Sequence, residues 1–179
     1  MQKPTKKLDR NALQHYASML LAQRAMTSGE LRQKMRLKAI DAADIDPVIA
    51  QLTEYGALND ARYAEAYASA RKENQRFGQA RVFRDLNRKK IPSSLAKAAI
   101  ELTYSGTDEL TLIEDYLLRK FRGKNLSEFL AEQKNLASAF RRLRTAGYSA
   151  SGSLQVLRRF SQAAEEIHED DLKEDEQTD

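Results

Sequence analysis

An all-α fold of three tandem three-helix repeats is what the sequence predicts, and three observations predict it. One set of apolar spacings occurs three times: Leu31, Met35, Ile40 and Ile49, then Val82, Leu86, Ile91 and Ile100, then Ala139, Leu143, Tyr148 and Leu157. The steps are four, five and nine residues each time, and the copies are displaced by 51 and then 57 positions. A period near 50 residues marks stacked supersecondary units, none of which can bury its apolar face alone. Composition agrees, because 7 Gly, 3 Pro and no Trp among 179 residues, with abundant Ala, Leu, Arg, Lys and Glu, favour helix over sheet. Finally, no stretch sustains the apolar–polar alternation between turn residues that a half-buried strand requires. The expected product is an elongated helical-repeat array with repeats at 9–57, 58–105 and 106–161, then an acidic tail at 162–179, read as a disordered, solubilising end with masking of the basic body as the alternative.

In the first repeat, a helix over about 9–25 follows from the stripe of Leu13, Tyr16, Ala17, Leu20, Leu21 and Arg24. Thr27-Ser28-Gly29-Glu30 reads as a capping box that starts a second helix running to about Lys38. Asp44-Ile45-Asp46-Pro47 starts a third, with Asp as the cap and Pro tolerated in the first turn. Its buried face is Val48, Ile49 and Leu52, and Gly56 ends it in a left-handed conformation.

In the second repeat, Asn59 or Asp60 caps a helix whose Tyr63, Ala64, Tyr67 and Ala70 share a face. Gly78 opens the next helix, to about Lys89, and Pro92-Ser93-Ser94 opens another that carries Leu95, Ala98, Ala99 and Leu102. Ser105-Gly106-Thr107 is the next boundary. Helices near 108–121, 133–146 and 151–161 follow, the first lined by Leu110, Ile113, Leu117 and Phe121, the second by Leu136, Ala139, Phe140 and Leu143. An insertion at Gly123 to Leu130 accounts for the longer second period.

The residues that would carry enzyme chemistry are sparse, so the chain is expected to be a non-enzyme without metal or cofactor. There is no Cys, hence no disulfide, thiol nucleophile or thiolate metal site. Of two His, His15 lies between stripe positions and His168 in the acidic tail. Asp41, Asp44 and Asp46 cluster at a helix start, where capping explains them better than magnesium does. Neither a phosphate-cradling Gly-rich loop with Lys-Ser/Thr nor Gly-x-Ser-x-Gly occurs. Met1 to Arg10 is polar, without the core of a secretory signal, and no run approaches the roughly 20 apolar residues of a bilayer span. A cytoplasmic monomer with no membrane partner is the expectation.

Charge is more informative. The net charge of +4 divides into +12 over residues 1–160 and −8 from Ser161 onward, where nine carboxylates face one lysine. A basic body points to a polyanionic partner, or to a protein bound to one. Arg81, Arg84 and Arg88 fall at i, i+3 and i+7 of one helix, with Lys89 and Lys90 adjoining. Arg141, Arg142 and Arg144 occupy the equivalent helix of the third repeat, and Arg158 and Arg159 follow on its last helix. Guanidinium groups suit bidentate pairing with phosphate or carboxylate, although a solvated face with Asp85 as local partner accounts for the same pattern. Phe83 and Phe140 interleave with these charges at a helical spacing that suits core packing, with stacking on bases the alternative.

The stretch Tyr55-Gly56-Ala57-Leu58-Asn59-Asp60-Ala61-Arg62-Tyr63-Ala64, followed by Arg71, Gly78, Arg81 and Leu86, resembles the RecX family of bacterial recombinase regulators. Arg24, Ser28, Glu30-Leu31 and Lys34 in the first repeat are similar to the family as well, and the resemblance is most specific over residues 24–91. Lys90 before Ile91 and Ala39 before Ile40 depart from it, since the family often has Gly there. The resemblance implies a curved array of three-helix units that binds in the groove of the RecA filament on single-stranded DNA. It further implies restraint of filament extension, ATP hydrolysis and strand exchange. Asn59, Asp60, Arg62, Tyr63, Arg71, Gly78 and Arg81 are its motif residues, serving either unit packing or partner contact. Arg81, Arg84, Arg88, Arg141, Arg142 and Arg144 are the candidate contacts with filament or DNA. A helix-turn-helix-type module that reads DNA directly is the rival reading, and weak direct DNA binding is compatible with both.

Overall fold

The computed structural model describes residues 7–161, so the acidic tail at 162–179 and His168 lie outside the described residues. Among the described residues it is all-α. The helices are α1 (Arg10–Gln23), α2 (Ser28–Arg36), α3 (Ile45–Glu54), α4 (Asp60–Gln75), α5 (Gln79–Arg88), α6 (Ser93–Tyr104), α7 (Glu109–Lys120), α8 (Leu126–Leu130), α9 (Gln133–Ala146) and α10 (Ala150–Phe160). A 3₁₀ turn at Ala42–Asp44 precedes α3, and one isolated parallel bridge joins Leu8 to Ala39. The chain forms two compact units, Met1–Ala68 with Arg84–Thr103, and Ser69–Phe83 with Tyr104–Asp179.

The first unit is built on caps that local sequence encodes. Asp9 accepts from the Ala12 amide to start α1. Thr27 and Glu30 complete the capping box of α2, with Glu30 N–H to Thr27 Oγ1 at 3.0 Å. Leu13, Leu31, Met35, Val48 and Leu52 from α1–α3 form one buried cluster, and Gly56 leaves α3 at φ 69°. Two expectations fail here. Asp44 sits at the start of α3 without a side-chain cap bond; Asp41 caps the 3₁₀ turn instead, and Asp46 pairs with Arg32 at 2.8 Å. Ile40 is 68% exposed, and the buried residue is Ala39. The equivalent positions in the later copies, Lys90 and Gly147, take positive φ (63° and 93°) and turn the next residue inward. In the first copy, Ala39 is instead drawn against Leu8 by the bridge, and its neighbour faces solvent.

α6 also differs from its predicted stripe. Ala96, Ala99 and Ile100 are buried, whereas Leu102 is 67% exposed and Ala98 faces solvent. Both sets have helical spacing, and the buried one lies a step round the helix from the predicted one.

In the second unit, α10 packs on α7 and α9, and Ile113, Leu117, Leu136, Leu143 and Leu157 are buried. The insertion is not loop alone: Asn125 accepts from the Ser127 and Glu128 amides and starts the short α8, whose Leu126 and Leu130 are buried. Two buried tyrosines fix the turn between α4 and α5. Tyr104 Oη donates to Phe77 O at 2.5 Å, and Tyr148 Oη contacts Arg76 O and Leu112 O. Gly78 N–H donates to Ala146 O at 2.9 Å. A Cβ on Gly78 would lie 2.4 Å from Gly147 O, and one on Gly147 would lie 2.2 Å from Arg81 N, so glycine is required on both sides of this approach.

Candidate functional site

Asn59, Asp60 and Tyr63 of the motif make capping and packing contacts in the first unit. Asn59 Oδ1 accepts from the Arg62 amide and caps α4. Asp60 reaches another helix start: its carboxylate accepts from Ser28 N at 2.8 Å and Ser28 Oγ at 2.5 Å. It therefore supplies negative charge to the positive end of α2. Tyr63 and Tyr67 stack with centroids 6.2 Å apart, and Lys89 Nζ lies 5.5 and 5.4 Å from their rings. The Tyr63 hydroxyl holds the Lys89 ammonium above the ordinary lysine range; burial opposes this and Glu30, 3.4 Å away, supports it. Thr27 Oγ1 donates to Lys89 O, which ties the start of α2 to the end of α5. Arg62 is exposed and makes no ion pair among the described residues. It borders a cleft of about 560 Å³ lined also by Leu21, Met26, Asn59, Tyr63 and Tyr67. Arg71 is half-buried on α4 and accepts at its carbonyl from Phe77 N–H.

The cationic candidates separate. Arg81, Arg141 and Arg142 meet in the second unit around a cleft of about 500 Å³, lined as well by Phe77, Tyr116, Lys120, Ser138, Thr145 and Ala146. Among the described residues no carboxylate lines it. Arg81 Cζ lies 5.4 Å from the Phe77 ring centroid. Burial raises the Tyr116 hydroxyl above the usual tyrosine range, and the positive charges of Arg142 and Arg81 act against that rise. A second depression of about 430 Å³ shares Phe77, Tyr116 and Lys120 and adds Arg119, Asn74 and Gln75. Cations thus surround two aromatic rings, a combination that holds phosphates or carboxylates at the rim and a flat or apolar group between them.

Arg144 is not part of this cleft. Its Nη1 donates to Tyr148 O at 2.6 Å and so closes the C-terminal end of α9. Arg84 and Arg88 belong to the first unit; both are exposed, and Arg88 lies 4.0 Å from Asp85. Sequence reasoning missed Phe77, Tyr116, Arg119 and Lys120. Arg119 and Lys120 close α7, where their charge suits the helix terminus, and that signal alone does not mark a site.

Comparison with known proteins decides the family. The pattern of the RecX first three-helix domain matches residues 15–52, and that of the second matches residues 59–100. Regulatory protein RecX of a Pseudomonas fluorescens strain is 30% identical over 138 residues, which cover 77% of this chain and 84% of that one. This chain belongs to the RecX family. Regulatory protein RecX of Amycolatopsis mediterranei is 34% identical over 80 residues, a match spanning 45% of this chain and only 46% of that relative. The crystal structure of RecX from Lactobacillus salivarius superposes with a TM-score of 0.65 at 20% identity, covering 84% of this chain and 96% of that one, and shows a shared fold. α1–α3 and α4–α6 therefore carry the first two RecX domains, and the Asn59–Tyr63 motif opens the second. RecX relatives are named regulatory proteins. No helix of the described residues is long and apolar enough to cross a membrane.

Proposed function

We propose that this RecX-family chain is a regulator of homologous recombination that binds the RecA filament on single-stranded DNA and restrains its extension, ATP turnover and strand exchange. The observation that carries the reading is the cleft where Arg81, Lys120, Arg141 and Arg142 surround Phe77 and Tyr116 in a chain of this family. Filament carboxylates, or phosphates exposed on the bound DNA, are the groups that such a rim takes. Three repeats at 9–57, 58–105 and 106–161 would let one monomer engage several filament subunits in the cytoplasm, adding avidity without a stronger single contact. Arg84 and Arg88 are the candidate contacts of the first unit.

A second reading, direct binding of DNA, is favoured by one feature: two aromatic rings set among cations, which suits unstacked bases as well as carboxylates. The deciding experiment measures single-stranded-DNA-dependent ATPase of the recombinase with substoichiometric protein, beside binding to bare single- and double-stranded DNA over a salt series. Strong ATPase inhibition with weak, sequence-indifferent DNA binding upholds the filament reading. Tight binding to bare DNA with a steep salt slope and sequence preference, without inhibition, replaces it with the module reading.

A further inference from the structure

The chain carries its own polyanion. Residues 162–179 hold nine carboxylates against Lys173, and they place Ile167 and Leu172 among Glu165, Glu166, Glu169, Asp170 and Asp171. The second unit presents the complement: cations set around the Phe77 and Tyr116 rings. We propose that segment 162–179 occupies this cleft, carboxylates on Arg81, Lys120, Arg141 and Arg142, with an aliphatic side chain between the rings, and thereby masks it from a polyanionic partner. The masking rests on the reading of the cleft as the partner-binding surface; the occupancy does not.

Three features select this cleft. The first is local charge: Arg81, Lys120, Arg141 and Arg142 line one cavity, and among the described residues no carboxylate lines it with them. The second is reach. Ser161 ends α10, which packs on α7 and α9, the helices that carry Tyr116, Lys120, Arg141 and Arg142. The 18 residues beyond Ser161 extend up to about 60 Å, while α7 is about 18 Å long, so the segment can pass round any helix of the unit. The third is tethering: a segment of the same chain meets the cleft at an effective concentration of about 1 mM, and a contact with a Kd of about 100 μM in isolation is then about tenfold in favour of the occupied cleft.

The test uses full-length protein. In the native chain at low salt, zero-length carbodiimide cross-linking joins Lys120 Nζ to a carboxylate of 162–179 within one copy, at a yield independent of dilution. A labelled 162–179 peptide binds the neutral-tail variant E165Q/E166Q/E169Q/D170N/D171N, and adding R141E/R142E to that variant abolishes the binding. The neutral-tail variant binds an oligothymidylate and inhibits recombinase ATPase about tenfold more strongly than the native chain, with the difference fading at high salt. Absence of the Lys120 cross-link, its appearance only between copies, or peptide binding indifferent to R141E/R142E overturns the proposal. Cross-linking and peptide binding without any gain for the neutral-tail variant uphold the occupancy and refute the cleft as the partner site. No peptide binding, with inhibition still sensitive to R141E/R142E, refutes the occupancy and leaves the partner site standing.

Discussion

Replacing Tyr148 by Phe removes one oxygen and leaves the packing intact, which isolates the role of the hydroxyl. The ring is 2% exposed and meets Tyr116 edge-on at 5.9 Å, so Phe fills the same volume without a cavity. Tyr148 Oη has one proton for two carbonyls, Arg76 O and Leu112 O, the latter at 3.1 Å. Arg76 is a non-glycine residue at φ 54°, a conformation that itself costs about 1–2 kcal/mol and is held by its surroundings. The substitution forfeits a net hydrogen bond of about 1 kcal/mol and leaves a buried carbonyl unsatisfied for about 1–3 kcal/mol more, giving roughly 2–4 kcal/mol in all. At about 2–4 °C per kcal/mol, Tm falls by roughly 4–16 °C. Urea unfolding followed by far-UV circular dichroism reads this as a lower midpoint at unchanged slope. A loss below about 0.5 kcal/mol would refute the argument that this hydroxyl pins the α4–α5 turn. Tyr104→Phe, with a single bond to Phe77 O, is expected to cost less, about 1–2 kcal/mol.

The other predictions concern the close approaches, the motif and alkaline pH. A Cβ on Gly29 would lie 2.1 Å from Lys90 Cβ, so Gly29→Ala destabilises the first unit, and the G29A/K90G double variant recovers about 1 kcal/mol or more, read from a double-mutant cycle of unfolding free energies. Asp60→Ala removes two bonds to Ser28 and costs about 1–2 kcal/mol, whereas Arg62→Ala, on an exposed side chain, stays within about 0.5 kcal/mol; any effect of Arg62→Ala on recombinase inhibition then reports partner contact alone. Burial pushes up the hydroxyls of Tyr104, Tyr116 and Tyr148, and Tyr63 pushes up Lys89. Their folded forms keep protons that the unfolded chain releases above about pH 10, so the stability they add is full below that pH and lost above it. The fall approaches about 1.4 kcal/mol per pH unit per group, and Tyr148→Phe makes it shallower by one proton.

What could be read from sequence was local or periodic. The Thr27–Glu30 capping box spans four residues, and its geometry follows from backbone rules alone. The repeated anchors located eleven buried positions and failed at Ile40, because the first copy lacks the left-handed residue that turns its neighbours inward in the other two. In α6 two apolar stripes compete, and periodicity does not say which one a neighbour covers. The Ser28–Asp60 link crosses 32 residues, so an acid that looks like the cap of its own helix serves another. The cleft shows the same limit. Arg81, Arg141 and Arg142 were visible as helix-face charges, but Phe77, Tyr116 and Lys120 join them only because the turn before α5, α7 and α9 meet there. Arg144 shares the same run as Arg141 and Arg142 and is turned to a backbone carbonyl.

The most direct measurement compares inhibition of single-stranded-DNA-dependent recombinase ATPase by the wild-type chain, R141E/R142E and R84E/R88E, with folding of each verified by circular dichroism and thermal unfolding. Arg141 and Arg142 are both exposed, so their reversal changes the charge of the cleft with little effect on the core. The account predicts at least tenfold weaker inhibition by folded R141E/R142E, with a smaller loss for R84E/R88E. Full inhibition by folded R141E/R142E would contradict it.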